Sequence, residues 1–149
     1  MLLLKKIQKK SSLYLKFLGF LIKKGKKTKT KFLLMLSFFK FCFFIKKPLK
    51  SILNKLFITL NTFVETKTIK IKKSRYIVPF PINLNRRIHL IIKWFVLAIK
   101  ANKSRQSFHL KFIEELNLVL KKNHSEVLNL KNLNLSKAVA NRSNAHYRW

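Results

Sequence analysis

Pro79 and Pro81 stand two residues apart inside an otherwise strand-forming run, and that spacing restricts what the segment can build. In an extended strand, residues i and i+2 direct their backbone amides toward the same edge. Proline has no amide hydrogen, so both missing donors fall on one edge, which cannot recruit a further strand. A partner for the other edge lies just upstream. Thr66, Thr68, Ile69 and Ile71 favour strand, and Ile69 and Ile71 alternate with Lys70 and Lys72. Lys72-Lys73-Ser74-Arg75 reads as a turn, and Tyr76-Ile77-Val78 begins the returning strand. The expectation is a two-stranded β-ribbon over about residues 63–84, projecting from the body with a basic tip.

The remainder reads as helix. Residues 13–22 are mostly apolar and run into Lys23-Lys24-Gly25, with Gly25 where a helix C-terminal glycine would sit. Thr28 and Thr30 are candidate caps for a second helix reaching about residue 45. Pro48 fits the first turn of a third helix, ending near residue 61. After the ribbon, residues 86–102 return to helical spacing. Ile88, Ile91, Ile92, Phe95 and Ile99 share one face, while Arg86, His89, Lys93 and Lys100 follow another. Phe108, Phe112, Leu116 and Val119 mark a fifth helix, with Ser104 or Ser107 as its cap. Leu128, Leu130, Leu133 and Leu135 fit strand spacing, but with no partner strand evident a final helix is expected. The fold class is therefore mainly α, a bundle of about six helices with the ribbon between the third and fourth. Residues 1–12 form a short basic arm, and residues 13–149 a single helical domain.

Charge narrows the class of function. Thirty-four Lys and Arg face four acids, all Glu, for a net charge of +30. Self-repulsion at that density disfavours a compact isolated chain and calls for a polyanion that stays bound. Yet 48% of the residues are hydrophobic and fourteen are Phe, which is not the composition of a disordered basic tail. A folded protein embedded in nucleic acid satisfies both facts. The competing class is a cationic membrane-associated protein using residues 13–22 and 32–45 as interfacial helices. No membrane span is expected, because residues 32–45 are interrupted by Lys40 and fall short of the about 20 apolar residues a spanning helix needs. Residues 1–7 reach Lys5 and Lys6 too soon for a signal-peptide core.

The residues needed for catalysis are scarce. There is no Asp; Glu65, Glu114, Glu115 and Glu126 are scattered or lie on a solvated helix face, and Glu114-Glu115 beside Lys111 reads as ordinary surface pairing. His89, His109, His124 and His146 lack ligand spacing. Cys42, the single cysteine, allows neither an internal disulfide nor a metal-binding pair and reads as a small buried hydrophobe. With only Gly19 and Gly25, a glycine-rich phosphate loop cannot be built. No enzyme activity, metal or cofactor is expected.

Three basic constellations carry the binding. Lys23-Lys24-Gly25-Lys26-Lys27 sits at a helix–helix junction, where the next helix's first amides add to phosphate attraction. Lys70, Lys72, Lys73 and Arg75 crown the ribbon, with Tyr76 available to stack. Arg86-Arg87, with His89, Lys93 and Lys100, tracks a phosphate backbone. The chain closes on Ala145-His146-Tyr147-Arg148-Trp149, a planar cation between aromatic rings that suits base stacking and phosphate pairing. Ribbon tips and aromatic tails favour irregular, splayed RNA over DNA.

From about residue 16 to its end the chain resembles the small ribosomal subunit protein seven family of bacterial type. Lys23-Lys24-Gly25-Lys26-Lys27-Thr28 is similar to that family's basic junction between its first two helices. Val64-Glu65, then Ser74, Tyr76, Val78 and Pro79, follow its ribbon in order and spacing. Arg86-Arg87, Leu90, Lys93 and Trp94 follow its Arg-Arg…Leu…Arg-Trp helix, with Lys93 in place of an arginine. Glu115-Leu116 falls in the next helix, and Ala140-Asn141-Arg142 with the terminal pentapeptide completes the set. There are departures. Lys72-Lys73 replaces a Gly-Gly at the ribbon, residues 128–135 replace a stretch rich in Lys and Arg, and residues 38–59 match by helix pattern only.

The resemblance implies a structural constituent of the small-subunit head that binds the 3′ major domain of small-subunit rRNA and nucleates head assembly. It implies exit-side tRNA and mRNA near the ribbon, neighbouring head proteins and the platform protein eleven as partners, and no homo-oligomer. Carried onto this chain, it makes Lys23, Lys24, Lys26, Lys27, Lys70, Arg86, Arg87, Lys93, Lys100 and Arg142 rRNA-binding residues. Lys72, Lys73, Arg75, Tyr76, Tyr147, Arg148 and Trp149 become the residues near tRNA and mRNA. The abundance of residues with A+T-rich codons, and a resemblance that starts by about residue 16, point to synthesis inside an organelle. The mitochondrial matrix is the expected compartment, ahead of a plastid or an endosymbiont.

Overall fold

The computed structural model describes residues 11–148. Along them run α1 (Ser11–Leu21), α2 (Lys27–Ile45), α3 (Leu49–Leu60), β1 (Val64–Ile71), β2 (Ser74–Pro81), α4 (Leu84–Ala101), α5 (Phe108–Lys121), α6 (Glu126–Ala140) and a closing 3-10 turn (Arg142–Tyr147). Six α-helices with a ribbon between the third and fourth is the expected class. The first ten residues of the basic arm, and Trp149, lie outside the described residues.

Four helices meet through one ring each. Phe17 of α1, Phe38 of α2, Phe95 of α4 and Phe112 of α5 are all buried. Phe17 meets Phe38 and Phe95 edge-on at 6.0 Å, and Phe112 meets Phe38 and Phe95 at 5.1 Å. Edge-to-face contact aligns positive ring edges with negative faces, adding about 0.5–1.5 kcal/mol per pair beyond area burial. α4 is the central helix. Leu90, Ile91, Ile92, Trp94, Val96 and Ala98 are buried along with Phe95 and Ile99, a wider apolar arc than the single face expected. From Phe32 onward α2 is apolar apart from Ser37 and Lys40, and the helix buries only Leu34, Ser37, Phe38 and Phe41. Its opposite face leaves Phe32, Met35, Phe39 and Phe43 exposed.

Scarce glycine shows in the turns. Among the described residues the non-glycine positions with positive φ are Lys24, Lys46, Lys72 and Lys122, at 51° to 56°. Gly25, at φ 70°, fills the expected left-handed position after α1. Lys46 and Lys122 are the C-caps of α2 and α5. A side chain in this region crowds its own carbonyl at a cost of about 1–2 kcal/mol. A cation at a helix C-terminus recovers part of that against the helix dipole.

The caps differ in detail from expectation. α2 starts at Lys27 with no side-chain cap, because the Thr30 hydroxyl lies inside the helix and donates back to the Lys26 and Lys27 carbonyls. Pro48 is the residue before α3 rather than in its first turn. Ser107 precedes α5 and its carbonyl accepts the Leu110 and Lys111 amides, but its hydroxyl caps no backbone amide, whereas the Ser125 hydroxyl accepts the Leu128 amide at the start of α6.

In the ribbon, Ile71 pairs with Ser74 across the two-residue turn Lys72-Lys73, so Ser74 and Arg75 belong to β2 rather than to the turn. Pro79 faces Thr66 and Pro81 faces Val64. In this register both prolines occupy non-hydrogen-bonded pairs, with their missing amides turned away from β1. The ladder continues at its base through the Ile82 amide and the Phe63 carbonyl, 3.1 Å apart. The outer edges are covered near that base. Asn134 of α6 bonds along β1, and the Asn144 amide donates to the Ile77 carbonyl of β2 at 3.1 Å. Beyond these clamps Thr68, Lys70 and residues 72–75 are exposed.

Candidate nucleic-acid interface

Among the described residues the lone ion pair joins Arg86 to Glu65. The guanidinium is bidentate, with Nε 2.8 Å from Oε2 and Nη2 on Oε1. This pairing holds the Glu65 carboxyl below the usual carboxylate range and raises Arg86. Arg87 donates from Nε to the Ile82 carbonyl at 3.1 Å and lies 4.2 Å over the Phe63 ring. The two arginines thus lock the first turn of α4 to the base of the ribbon. Arg86 keeps 44% of its side chain exposed, so the ion pair still faces outward.

Along α4 the four basic positions separate. His89 packs against Phe20 of α1 with ring centroids 4.7 Å apart. Burial, followed by the charges of Arg86 and Lys93, pushes its pKa down and so favours the neutral ring. Lys93 and Lys100 point into solvent. At about 1.5 Å per residue, Arg86 to Lys100 spans about 21 Å of one helix face. At its far end Lys100 meets Lys23 and Lys26 of the α1–α2 turn around a groove of about 690 Å³. Two constellations that are far apart in sequence are therefore joined. Lys24 and Lys27, also exposed, lie on the same turn outside the groove lining.

The ribbon tip is a separate cationic cluster. Lys70 and Arg75 face each other across the strands, with Lys72 and Lys73 in the turn. Like charges directly opposite are destabilising in a bare ribbon, and a bound anion removes that penalty. Tyr76 is not an open platform. Its ring lies 5.0 Å from Tyr147, which the closing turn brings back onto β2, with His146 packed on Tyr147 at 3.9 Å. Arg142 and Arg148 are exposed.

Several positioning residues gave no sequence signal. The amide group of Asn134 donates to the Val64 carbonyl and accepts the Thr66 amide. Lys131 donates to the Thr59 carbonyl in the last turn of α3 at 2.6 Å, and burial lowers its pKa. Glu115 is not a surface acid. It is buried and accepts the Val127 amide at the start of α6, while burial pushes its carboxyl up. Lys111 bonds to the Asn102 carbonyl rather than to a glutamate. α5 turns Glu115 toward α6, which sequence spacing alone does not disclose. Cys42 is half-buried rather than enclosed, with its thiol pushed up by burial. No helix among the described residues is long and apolar enough to cross a membrane.

The family described as ribosomal protein S7p/S5e matches residues 2–142. The small ribosomal subunit protein uS7m of Gallus gallus is 31% identical over 74 residues, which cover 50% of this chain and 32% of that protein. The match therefore spans about a third of that relative's length.

Proposed function

This chain belongs to the ribosomal protein S7p/S5e family, and on that premise we propose that it is a structural, non-catalytic protein of the small subunit of a mitochondrial ribosome. It sits in the subunit head, holds the 3′ major domain of the small-subunit rRNA and helps that domain assemble. The observation that carries this reading is the cation surplus. Thirty-four Lys and Arg face four Glu, and among the described residues Arg86 is the one cation neutralised by a carboxylate. A surface of that kind suits a partner that brings its own negative charge along the whole contact.

Lys23, Lys24, Lys26 and Lys27 at the α1–α2 turn, with Lys93 and Lys100 on α4, form the main rRNA track. Arg86 and Arg87 set the ribbon's angle to that track and add the outward face of the ion pair, while Lys70 and Arg142 extend the contact toward the ribbon. The tip residues Lys72, Lys73 and Arg75 reach toward exit-side tRNA and mRNA. Tyr76 and Tyr147 stiffen the base of that tip, with Arg148 and Trp149 following. Neighbouring head proteins and the platform protein eleven are the protein partners. The mitochondrial placement draws on the likeness to uS7m and on the A+T-skewed composition.

Sucrose-gradient sedimentation of organelle lysate in magnesium, with mass spectrometry of the small-subunit fraction, tests the proposal. Stoichiometric recovery that is lost after nuclease treatment is the expected result. The exposed Phe32, Phe39 and Phe43 stripe on α2 favours one second reading, a membrane-surface protein. Recovery with membranes after a high-salt wash, independent of RNA, would establish that reading instead.

A further inference from the structure

The groove at the far end of the α4 track differs from the other basic surfaces. Its rim carries Lys23 and Lys26 from the α1–α2 turn, Lys29 from α2, Lys100 from α4 and Lys111 from α5. Its floor is apolar, made by Leu21, Leu33, Val96, Ile99 and Phe108. No carboxylate lines it. A duplex backbone needs only the rim and would leave the floor wet. We propose that this groove holds one unpaired, unstacked nucleotide of the bound RNA, with its base on the floor against Phe108 and the flanking phosphates on the lysines. The inference rests on the RNA-binding reading above and adds a specific subsite to it.

Several details fit that occupant. At about 690 Å³ the groove lies within the range of clefts that enclose small ligands, and so has room for a nucleotide. Phe108 is half-buried and packs against Phe112 at 5.9 Å, so its ring is an outward extension of the four-ring core and is held before the base arrives. Lys111 is fixed by its 2.7 Å bond to the Asn102 carbonyl, which places one rim charge at a defined point. Thr30 spends its hydroxyl on the Lys26 and Lys27 carbonyls, leaving the exposed Gln106 amide to meet a base edge. Five cations from four segments exceed what a single acidic side chain needs and suit consecutive phosphates. That favours RNA over an acidic peptide.

The test uses the full chain and a transcript of the small-subunit 3′ major domain substituted with 4-thiouridine. Irradiation is expected to cross-link the peptide containing Phe108. Leu33→Trp, which fills the groove without changing charge, is expected to weaken binding about tenfold through loss of base stacking. Its slope of log affinity against log salt stays that of the wild type. Lys29→Ala instead reduces that slope by about one phosphate contact. Gln106→Ala changes an exposed residue outside any helix, so it keeps the fold and provides an independent arm with a several-fold loss. Wild-type affinity in both Leu33→Trp and Gln106→Ala, with cross-links elsewhere, would overturn the nucleotide subsite and leave the RNA reading standing. A wild-type chain showing no salt-dependent affinity for the transcript would overturn the RNA reading itself. Capture of an acidic protein segment in the groove of assembled subunits would also overturn the subsite.

Discussion

Asn134 stands in for a third strand beside Val64. Its amide nitrogen donates to the Val64 carbonyl at 2.8 Å, and its oxygen accepts the Thr66 amide at 3.3 Å. One side chain from α6 thus supplies the two bonds that a neighbouring strand would make along the outer edge of β1. Pro79 and Pro81 silence the opposite edge. The base of the ribbon is thereby closed to other strands without any sheet being built around it.

Removing that clamp should loosen the ribbon. Asn134→Leu leaves a part-buried carbonyl and amide unpaired, and is expected to cost about 1–3 kcal/mol. Urea denaturation measures the total, and hydrogen exchange at the Thr66 amide locates it. Unchanged protection at Thr66 would mean that the side chain does not hold the edge.

Glu65 and Glu115 should give stability opposite pH dependences. Arg86 depresses Glu65, so its contribution is complete above the ordinary glutamate value of 4.5 and is lost as pH falls through the lower folded value. The exposure of Arg86 limits that contribution to about 1 kcal/mol or less. Burial raises Glu115, so its folded carboxyl favours the proton, and stability falls as pH rises from 4.5 through the raised value. Glu115→Gln should therefore melt higher than wild type at pH 7, with the gap closing toward pH 4. Thermal melts across pH 3–8 check both signs, using Glu65→Gln as the companion variant.

Lys72 occupies a left-handed position that glycine adopts freely. Lys72→Gly should relieve about 1 kcal/mol of backbone strain, partly offset by the wider freedom of glycine in the unfolded chain. Slower exchange of the tip amides would report the relief, and faster exchange would show that the lysine is not strained.

On α4 the salt dependence of RNA binding should separate its cations. Replacing Lys93 and Lys100 together with glutamine is expected to lower the slope against salt by about two phosphate contacts. Arg86→Gln should act mainly on ribbon orientation. Its slope should change by less than one contact, while cross-links from the ribbon tip shift position. Equal slopes for wild type and the Lys93/Lys100 double variant would remove this face from the interface.

What could be read in advance follows from the range of the forces involved. Local signals placed most elements: apolar spacing for α4 and α5, Pro79 and Pro81 for the ribbon, and Gly25 for the first turn, whereas α6 was expected only for want of a partner strand and the closing 3-10 turn was not foreseen. The bundle's class and the ribbon's place in it came from these alone. Side chains acting across long sequence separations stayed hidden. Nothing in a Leu-Asn alternation says that Asn134 faces β1, or that Lys131 ends on the Thr59 carbonyl. The basic clusters were visible as charge, but whether a cation is already engaged depends on packing. Arg86 is bound to Glu65 and His89 lies against Phe20, while Lys100 joins the α1–α2 turn around a shared groove. Tyr76 and Tyr147 were each read as platforms for RNA, and the fold stacks them on one another.

The lysines at 24, 46, 72 and 122 have a further consequence. Each is exposed and lies at a boundary: after α1, after α2, at the ribbon tip and after α5. A trypsin-like protease cutting there would release whole elements instead of nicking within them. A chain short of glycine thus carries lysine at the boundaries of its own elements.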